Sequence, residues 1–275
     1  MSSKKLAKSK RKKFWLLGLG GLLVILVIFF AFLFTSLPSP KRLETFPYPA
    51  STLIYDRNGN LLYEIYADKN RTPVKLEQIP QNLIKATLAI EDRNFYSHHG
   101  FDLKGISRAF YNIIFHQQLQ GGSTITQQLV KNALLTPQRT LSRKVKEAIL
   151  TFLTELIYSK NQILEMYFNQ TPYGGTSWGV EAAAKTYFGK NVQDLTLAQA
   201  ALLAGLPASP TRLSPFAHPD LALERQKLVL KKMLEYKMIS EEEYQKAVEE
   251  EIKFASPGAK IKAPHFVFYI KERMV

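Results

Sequence analysis

Along the first third of the chain the apolar residues fall into three different patterns. Residues 14–34 run for twenty-one positions without a charge, long enough to cross a hydrocarbon core of about 30 Å at roughly 1.5 Å per residue. Residues 52–55 and 61–66 are short β-rich runs on either side of Asp56-Arg-Asn-Gly-Asn60. Asn58-Gly59 suits a tight turn with positive φ there, so the pair predicts a β-hairpin. Beyond about residue 76 strand signal nearly vanishes and the apolar spacing becomes helical. The body is therefore predicted to be mainly α.

Helix starts are marked by side chains as well as by spacing. Ser159 with Gln162, Thr196 with Gln199 and Ser240 with Glu243 each match a capping box, in which the first side chain binds a free backbone N–H and the last reaches back. Pro219 and Asp220 suit the first turn of a further helix through about Tyr236, with Leu223, Lys227, Leu230 and Leu234 along one side. Leu83, Ile84, Leu88 and Ile90 predict a packed helix that ends near Glu91. From about 142 to 158, Val145, Ile149, Phe152 and Leu156 are predicted to face the core. From 102 to 118, Leu103, Ile106, Phe110, Ile113 and Ile114 form a stripe that Tyr111 and Phe115 widen, which means burial or membrane contact.

Charge changes the picture at the N-terminus. Residues 1–13 carry seven of the 37 Lys and Arg and no acid. Beside the uncharged run this predicts an uncleaved single-pass anchor with a cytoplasmic tail and the rest of the chain outside the membrane, since signal-peptide apolar regions run to only about 15 residues. The tail accounts for +7 of the net +14, and the remaining 30 basic against 23 acidic residues make the body basic too. Outside the membrane that surface meets anionic headgroups, pyrophosphates or wall polymer rather than nucleic acid. The absence of cysteine excludes disulfides and thiolate metal sites. Residues 35–51, with four prolines, are predicted to lack regular structure and to act as a stalk.

Three stretches can carry chemistry. Glu91-Asp-Arg-Asn-Phe-Tyr-Ser-His-His-Gly100 gathers two carboxylates, two imidazoles and two aromatics. Glu91, at a helix C-terminus in apolar surroundings, is expected to have a raised pKa and to exchange protons near neutral pH. Gly121-Gly-Ser-Thr-Ile-Thr-Gln-Gln-Leu-Val-Lys-Asn132 offers the hydroxyl and amide groups of Ser123, Thr124, Thr126, Gln127 and Gln128 to sugar or phosphate oxygens, and equally satisfies a helix N-cap. Lys131, Arg139, Arg143, Lys144 and Lys146 form a basic cluster that ends on Glu147. Arg143 and Glu147, at i and i+4, are either an exposed ion pair worth under about 1 kcal/mol or part of a groove for a pyrophosphate. In the second case Glu147 orients the bases or holds a divalent cation. No H-E-x-x-H or G-x-S-x-G occurs, and Ser-x-x-Lys is confined to the basic tail.

In order, these segments resemble the family-51 peptidoglycan glycosyltransferases, either monofunctional or forming the N-terminal half of class A penicillin-binding proteins. Glu91-Asp92-x-x-Phe95-x-x-His98-x-Gly100, Gly122-Ser-Thr-Ile-Thr-Gln-Gln-Leu129, Arg143-Lys144-x-x-Glu147 and Ile163-Leu-Glu165-x-Tyr167-x-Asn169 are similar to four family motifs. Arg225-Gln-Lys-Leu-Val-Leu230 approximates a fifth, with Gln226 where a second basic residue is common.

The resemblance implies a lysozyme-like domain over residues 52–255 and a linker at 256–275 toward a transpeptidase domain. It implies polymerisation of lipid II into β-1,4 glycan, with inversion and release of undecaprenyl pyrophosphate. Glu91 would be the general base and Glu147 the second catalytic carboxylate. Asp92, Phe95, His98, Ser123, Thr124, Gln127, Gln128, Lys131, Arg139, Arg143, Lys144, Glu165 and Asn169 would bind substrate or support the site. No cofactor is required by the sequence, and a divalent cation (Mg or Mn) is an option, with Glu147 as the group that could hold it. The partners implied are lipid II, the growing glycan, the cytoplasmic membrane and the wall-synthesis machinery. A lysozyme-like muramidase or lytic transglycosylase, which would cleave the same polymer, is one alternative; the basic third motif argues against it because a neutral glycan offers nothing to neutralise, and Glu147 among cations serves poorly as the acid a glycosidase needs. A non-catalytic scaffold that binds anionic polymer is the other alternative.

Overall fold

The computed structural model describes residues 37–44, 52–59, 61–65, 72–102, 122–138 and 140–256, with isolated positions at 20, 21, 35, 266, 269 and 270. Residues 40–275 form one compact unit, described below. Apart from Gly20 and Gly21, the predicted anchor lies outside the described residues, as do Arg139 and the apolar stripe after Asp102. Among the described residues no helix is long and apolar enough to cross a membrane.

The hairpin forms as the turn chemistry predicts. β1 (Thr52–Tyr55) pairs antiparallel with β2 (Leu61–Ile65), with Ile54 opposite Tyr63 and an irregularity between Ile54 and Tyr55. Asn58 N–H donates to the Asp56 carboxylate and Gly59 takes φ +80°, the left-handed conformation that its missing Cβ permits.

The rest is mainly helical: α1 (Gln81–Glu91), α2 (Ile125–Leu134), α3 (Leu141–Ile157), α4 (Lys160–Gln170), α5 (Val180–Phe188), α6 (Leu197–Gly205), α7 (Pro219–Glu235) and α8 (Glu241–Glu249). All three expected capping boxes are present, at α4, α6 and α8, and a fourth at α2 joins Thr124 to Gln127. Each satisfies backbone donors that a helix start leaves free. Helix α6, Leu-Ala-Gln-Ala-Ala-Leu-Leu-Ala-Gly, carries no charge and packs against both α1 and α7. Leu202 and Leu203 are fully buried, worth about 2 kcal/mol each. On another side α2 packs against α3 and α4.

Several expectations need correction. A short ladder of β3 (Pro172–Gly174) with β4 (Ser177–Trp178) breaks the all-helical run. Pro40–Leu43 is a 3-10 turn rather than irregular chain, because Leu43 is buried in the core and its carbonyl accepts from Gln170 Nε2. On α7, Ala222, Gln226, Val229, Leu230 and Met233 are buried and the expected Leu223 and Leu234 pack partly buried against the core, whereas Lys227 is exposed.

The largest difference is α3. Its buried residues are Glu147, Leu150, Thr151 and Thr154, whereas Phe152 is 53% and Leu156 67% exposed, with Leu141 at 83%. The helix turns Glu147, Leu150, Thr151 and Thr154 inward, while Phe152 and Leu156 of the expected core face are exposed and Val145 and Ile149 are half-buried.

Candidate active site

Glu91 is the last residue of α1, and Asp92 caps that helix. Burial pushes the Glu91 carboxyl up. Gln128 on α2, whose Nε2 donates to Glu91 Oε2 at 2.6 Å, pulls it down, as do Arg225 and Lys131, while Asp92 adds to the rise. The Gln128 bond is therefore the join between the α1/α6/α7 packing and the α2/α3/α4 packing at the point where the acid sits.

Asp92 supplies the second join. Its carboxylate accepts the Ile125 N–H at 3.0 Å, in the first turn of α2, and His98 Nε2–H at 2.9 Å. Thr124 Oγ1 donates to the Gly100 carbonyl at 2.7 Å, which closes the loop after α1 onto the start of α2. Gly100 has φ +83°, and a Cβ there would lie 2.8 Å from Thr151 Cγ2, so the loop needs glycine twice over. Thr126 and Lys160 both bind Glu155 of α3, and Lys160 Nζ lies 4.5 Å from the centre of the fully buried Phe95 ring.

The basic cluster is organised by a buried acid. Glu147 is 2% exposed. One carboxylate oxygen accepts from Arg143 at 2.8 Å and the other from Lys144. Both oxygens are thus spent on cations, which makes the pair a buried one rather than the exposed i, i+4 contact the spacing also permitted. Among the described residues Lys131 has no ion pair; burial lowers its pKa, opposed by Glu147 and Glu91 and aided by Arg143 and Lys144. Lys131 is thus a cation held between the acid at the end of α1 and the cluster on α3. Arg225 is the other cation coupled to Glu91; it donates to the Gly205 carbonyl and lines a cavity of about 340 Å³ with Ser209, Arg212 and Glu224.

Eight of the residues expected to bind substrate or support the site make hydrogen bonds within the protein or lie in its core. Asp92, Thr124 and Gln127 are buried and spend their polar atoms on caps and loop closure, Phe95 is sealed in the core, and Gln128 bonds Glu91. Asn169, 2% exposed, accepts from Val74 N and donates to Val74 O, while Glu165 accepts from Leu76 N and pairs with Lys75, so both fasten the segment before α1. His98 supports Asp92. Ser123, Lys131, Arg143 and Lys144 remain with surface to offer, and Arg139 lies outside the described residues. Among the described residues no three acidic or imidazole side chains come together as metal ligands.

Sequence reasoning missed Glu155 with Lys160 and Tyr173, and it gave Tyr167 only as part of the fourth motif. It gave Arg225 only as part of an approximate motif, although its position four residues before Val229 on the α7 core face marks it as turned toward the interior.

The family model described as Transglycosylase matches residues 58–234. Penicillin-binding protein 1A of Aquifex aeolicus is 46% identical over 228 residues, 82% of this chain and 31% of that protein. Penicillin-binding protein 1A of Haemophilus influenzae is 43% identical over 225 residues, 81% of this chain and 26% of that protein. That of Pseudomonas aeruginosa is 37% identical over 249 residues, 90% and 30% respectively. The chain spans less than a third of the length of these relatives. The matched span contains both acids, the cation cluster and Arg225, so the site just described lies within a chain that belongs to the transglycosylase family.

Proposed function

We propose that the chain is a peptidoglycan glycosyltransferase that joins lipid II units into β-1,4-linked glycan, with inversion and release of undecaprenyl pyrophosphate. The observation that carries this reading is a desolvated carboxyl, Glu91, coupled to Lys131, a cation without an ion pair among the described residues, and a cluster in which the buried Glu147 holds Arg143 and the half-exposed Lys144. Proton abstraction and pyrophosphate departure need opposite charges in adjacent places, and this arrangement supplies them.

In the reaction Glu91 takes the proton from the acceptor's 4-hydroxyl as that oxygen attacks the anomeric carbon of the growing chain. The bond from that carbon to the pyrophosphate breaks, and the electron pair leaves with the phosphate. Pyrophosphate is a good leaving group once its charge is met, so no second carboxyl acting as acid is needed. Lys131, Arg143 and Lys144 meet that charge. Glu147 keeps the last two in place; with both oxygens bonded to cations its role is orientation.

The lipid carrier puts the substrate at a membrane, and residues 14–34 would anchor the chain there with its body outside. The exposed Leu141, Phe152 and Leu156 on the helix that bears the cation cluster support a body resting against the lipid surface. Purified full-length chain given lipid II tests the proposal. Glycan of rising length with release of the lipid pyrophosphate is expected; cleavage of preformed glycan would indicate a hydrolase, and no turnover a scaffold.

A further inference from the structure

Glu91 has one carboxylate oxygen with a partner and one without. Oε2 takes the Gln128 N–H, whereas Oε1 is buried and receives no hydrogen bond from the protein. Two fully buried phenols are in the same condition, Tyr167 on α4 and Tyr173 on β3. All three oxygens lie within electrostatic reach of one another. Burial raises both phenols, Glu91 raises each further, and Tyr173 acts on Tyr167; Thr171 opposes the rise at Tyr167, but its hydroxyl donates to the Tyr167 carbonyl at 2.7 Å rather than to the phenol. A third buried tyrosine nearby is satisfied, since Tyr187 donates to the Tyr173 carbonyl at 2.9 Å.

Buried polar atoms almost always find partners, and phenylalanine would fill the same space without the cost of burying a hydroxyl. The unpartnered carboxylate oxygen on α1 and the two unpartnered phenols on α4 and β3, both coupled electrostatically to that carboxylate, therefore mark a shared polar site. Its inventory matches: a carboxylate only accepts, a phenol both donates and accepts, and a buried water needs two to four polar neighbours.

We propose that Tyr167 and Tyr173 are positioning residues for Glu91, their hydroxyls binding Oε1 through one buried water as Gln128 binds Oε2. The carboxylate is then held at both oxygens, which fixes its plane and favours its ionised form. The catalytic meaning rests on the reading of Glu91 as the base. The other charged groups that act on Glu91 are Asp92 at the end of its own helix, Lys131 from α2 and Arg225 from α7, while α6 brings no titratable residue. Lys131 and Arg225 favour the ionised form and Asp92 opposes it, and removing a phenol leaves all three in place.

The test uses full-length chain in detergent with Tyr167→Phe, Tyr173→Phe and the double variant. The Glu91 carboxyl is followed directly by its carbon-13 resonance, assigned by its loss in Glu91→Gln, and the pH profile of lipid II polymerisation is measured alongside. Loss of a donor to the ionised form raises the Glu91 pKa. Its titration and the acid limb of the rate should both move to higher pH, by roughly half a unit to one unit per phenol, with the rate above the limb retained. An unmoved Glu91 titration in both single variants overturns the proposal, as does a loss of rate that is uniform with pH while the titration stays put. Should one variant fail to fold, the other carries the measurement. If Glu91→Gln polymerises at the wild-type rate, the base assignment fails, and the carbon-13 shift still reports on the tyrosines independently.

Discussion

Replacing Glu147 with glutamine separates the two readings of the Arg143 and Glu147 spacing most cleanly. The change keeps volume and removes one charge. If the pair were an exposed helical contact, the loss would be under about 1 kcal/mol. The Glu147 side chain is 2% exposed and Arg143 17%, so the neutral variant leaves a largely buried guanidinium without its counter-charge. Breaking a buried pair from one side costs about 3–5 kcal/mol. Lys144 is half exposed and turns to solvent, which brings the expectation to about 2–4 kcal/mol. For a domain of this size that lowers the melting temperature by roughly 5–12 °C. Thermal unfolding of the full chain at low and high salt is the assay, with Arg143→Met and the double variant completing a mutant cycle. The double variant should recover much of the loss, since no buried charge is then left alone. A melting temperature within about 1 °C of wild type, or a loss that disappears in high salt, would refute the buried-pair argument.

Other outcomes follow from the same geometry. Glu91→Gln should raise the melting temperature at pH 8: a group whose folded pKa lies above its unfolded value stabilises below that unfolded value and loses this as pH rises through the folded one, so removing the charge relieves the folded state. The gain should vanish near pH 4, and equal melting temperatures at both pH values would contradict it. Lys131→Met should lower kcat/KM for lipid II by about 100-fold or more with little change in stability, and a loss below threefold in steady-state assays would remove Lys131 from the leaving-group site. Asn169→Leu should cost about 2–3 kcal/mol in urea unfolding, because Val74 N and O both lose their partner. KM for lipid II should be unchanged in the folded fraction, and a selective rise in KM would restore a substrate-binding role. Phe152→Glu with Leu156→Glu should abolish flotation of a chain lacking residues 1–36 with anionic liposomes, whereas undiminished flotation would place the lipid contact elsewhere.

Local rules recovered much of this molecule from its sequence. A turn such as Asn58-Gly59 and caps such as Thr196 with Gln199 are decided within a few residues, so they survive folding unchanged. The helix that ends on Glu91 was likewise legible. Helix α3 was not, because its apolar positions follow a clean periodicity and the usual inference puts that stripe inside. Here Thr151, Thr154 and Glu147 take the inside, where Gly100 needs a close neighbour and the two cations need an acid, and no pattern along one helix states that.

The site divides in the same way. Its candidate residues cluster in short motifs that are legible along the chain, but their contacts depend on distant partners. Gln128 faces Glu91 across 37 positions and Asn169 faces Val74 across 95. A hydroxyl-rich stretch after a glycine pair suggests sugar binding and helix capping alike; Thr124 and Gln127 form the local cap, and the bond from Thr124 to the Gly100 carbonyl, 24 positions away, is what the sequence does not state.

The account turns on a proton taken by Glu91 while cations on α2 and α3 receive the departing pyrophosphate. Its most direct test is the rate of lipid II polymerisation by wild-type chain and Glu91→Gln, followed by glycan length across pH. The account predicts a wild-type rate that rises with pH through the elevated Glu91 titration, and a variant reduced by about 100-fold or more with no such limb. A Glu91→Gln variant that polymerises at the wild-type rate, with the same acid limb, would contradict it.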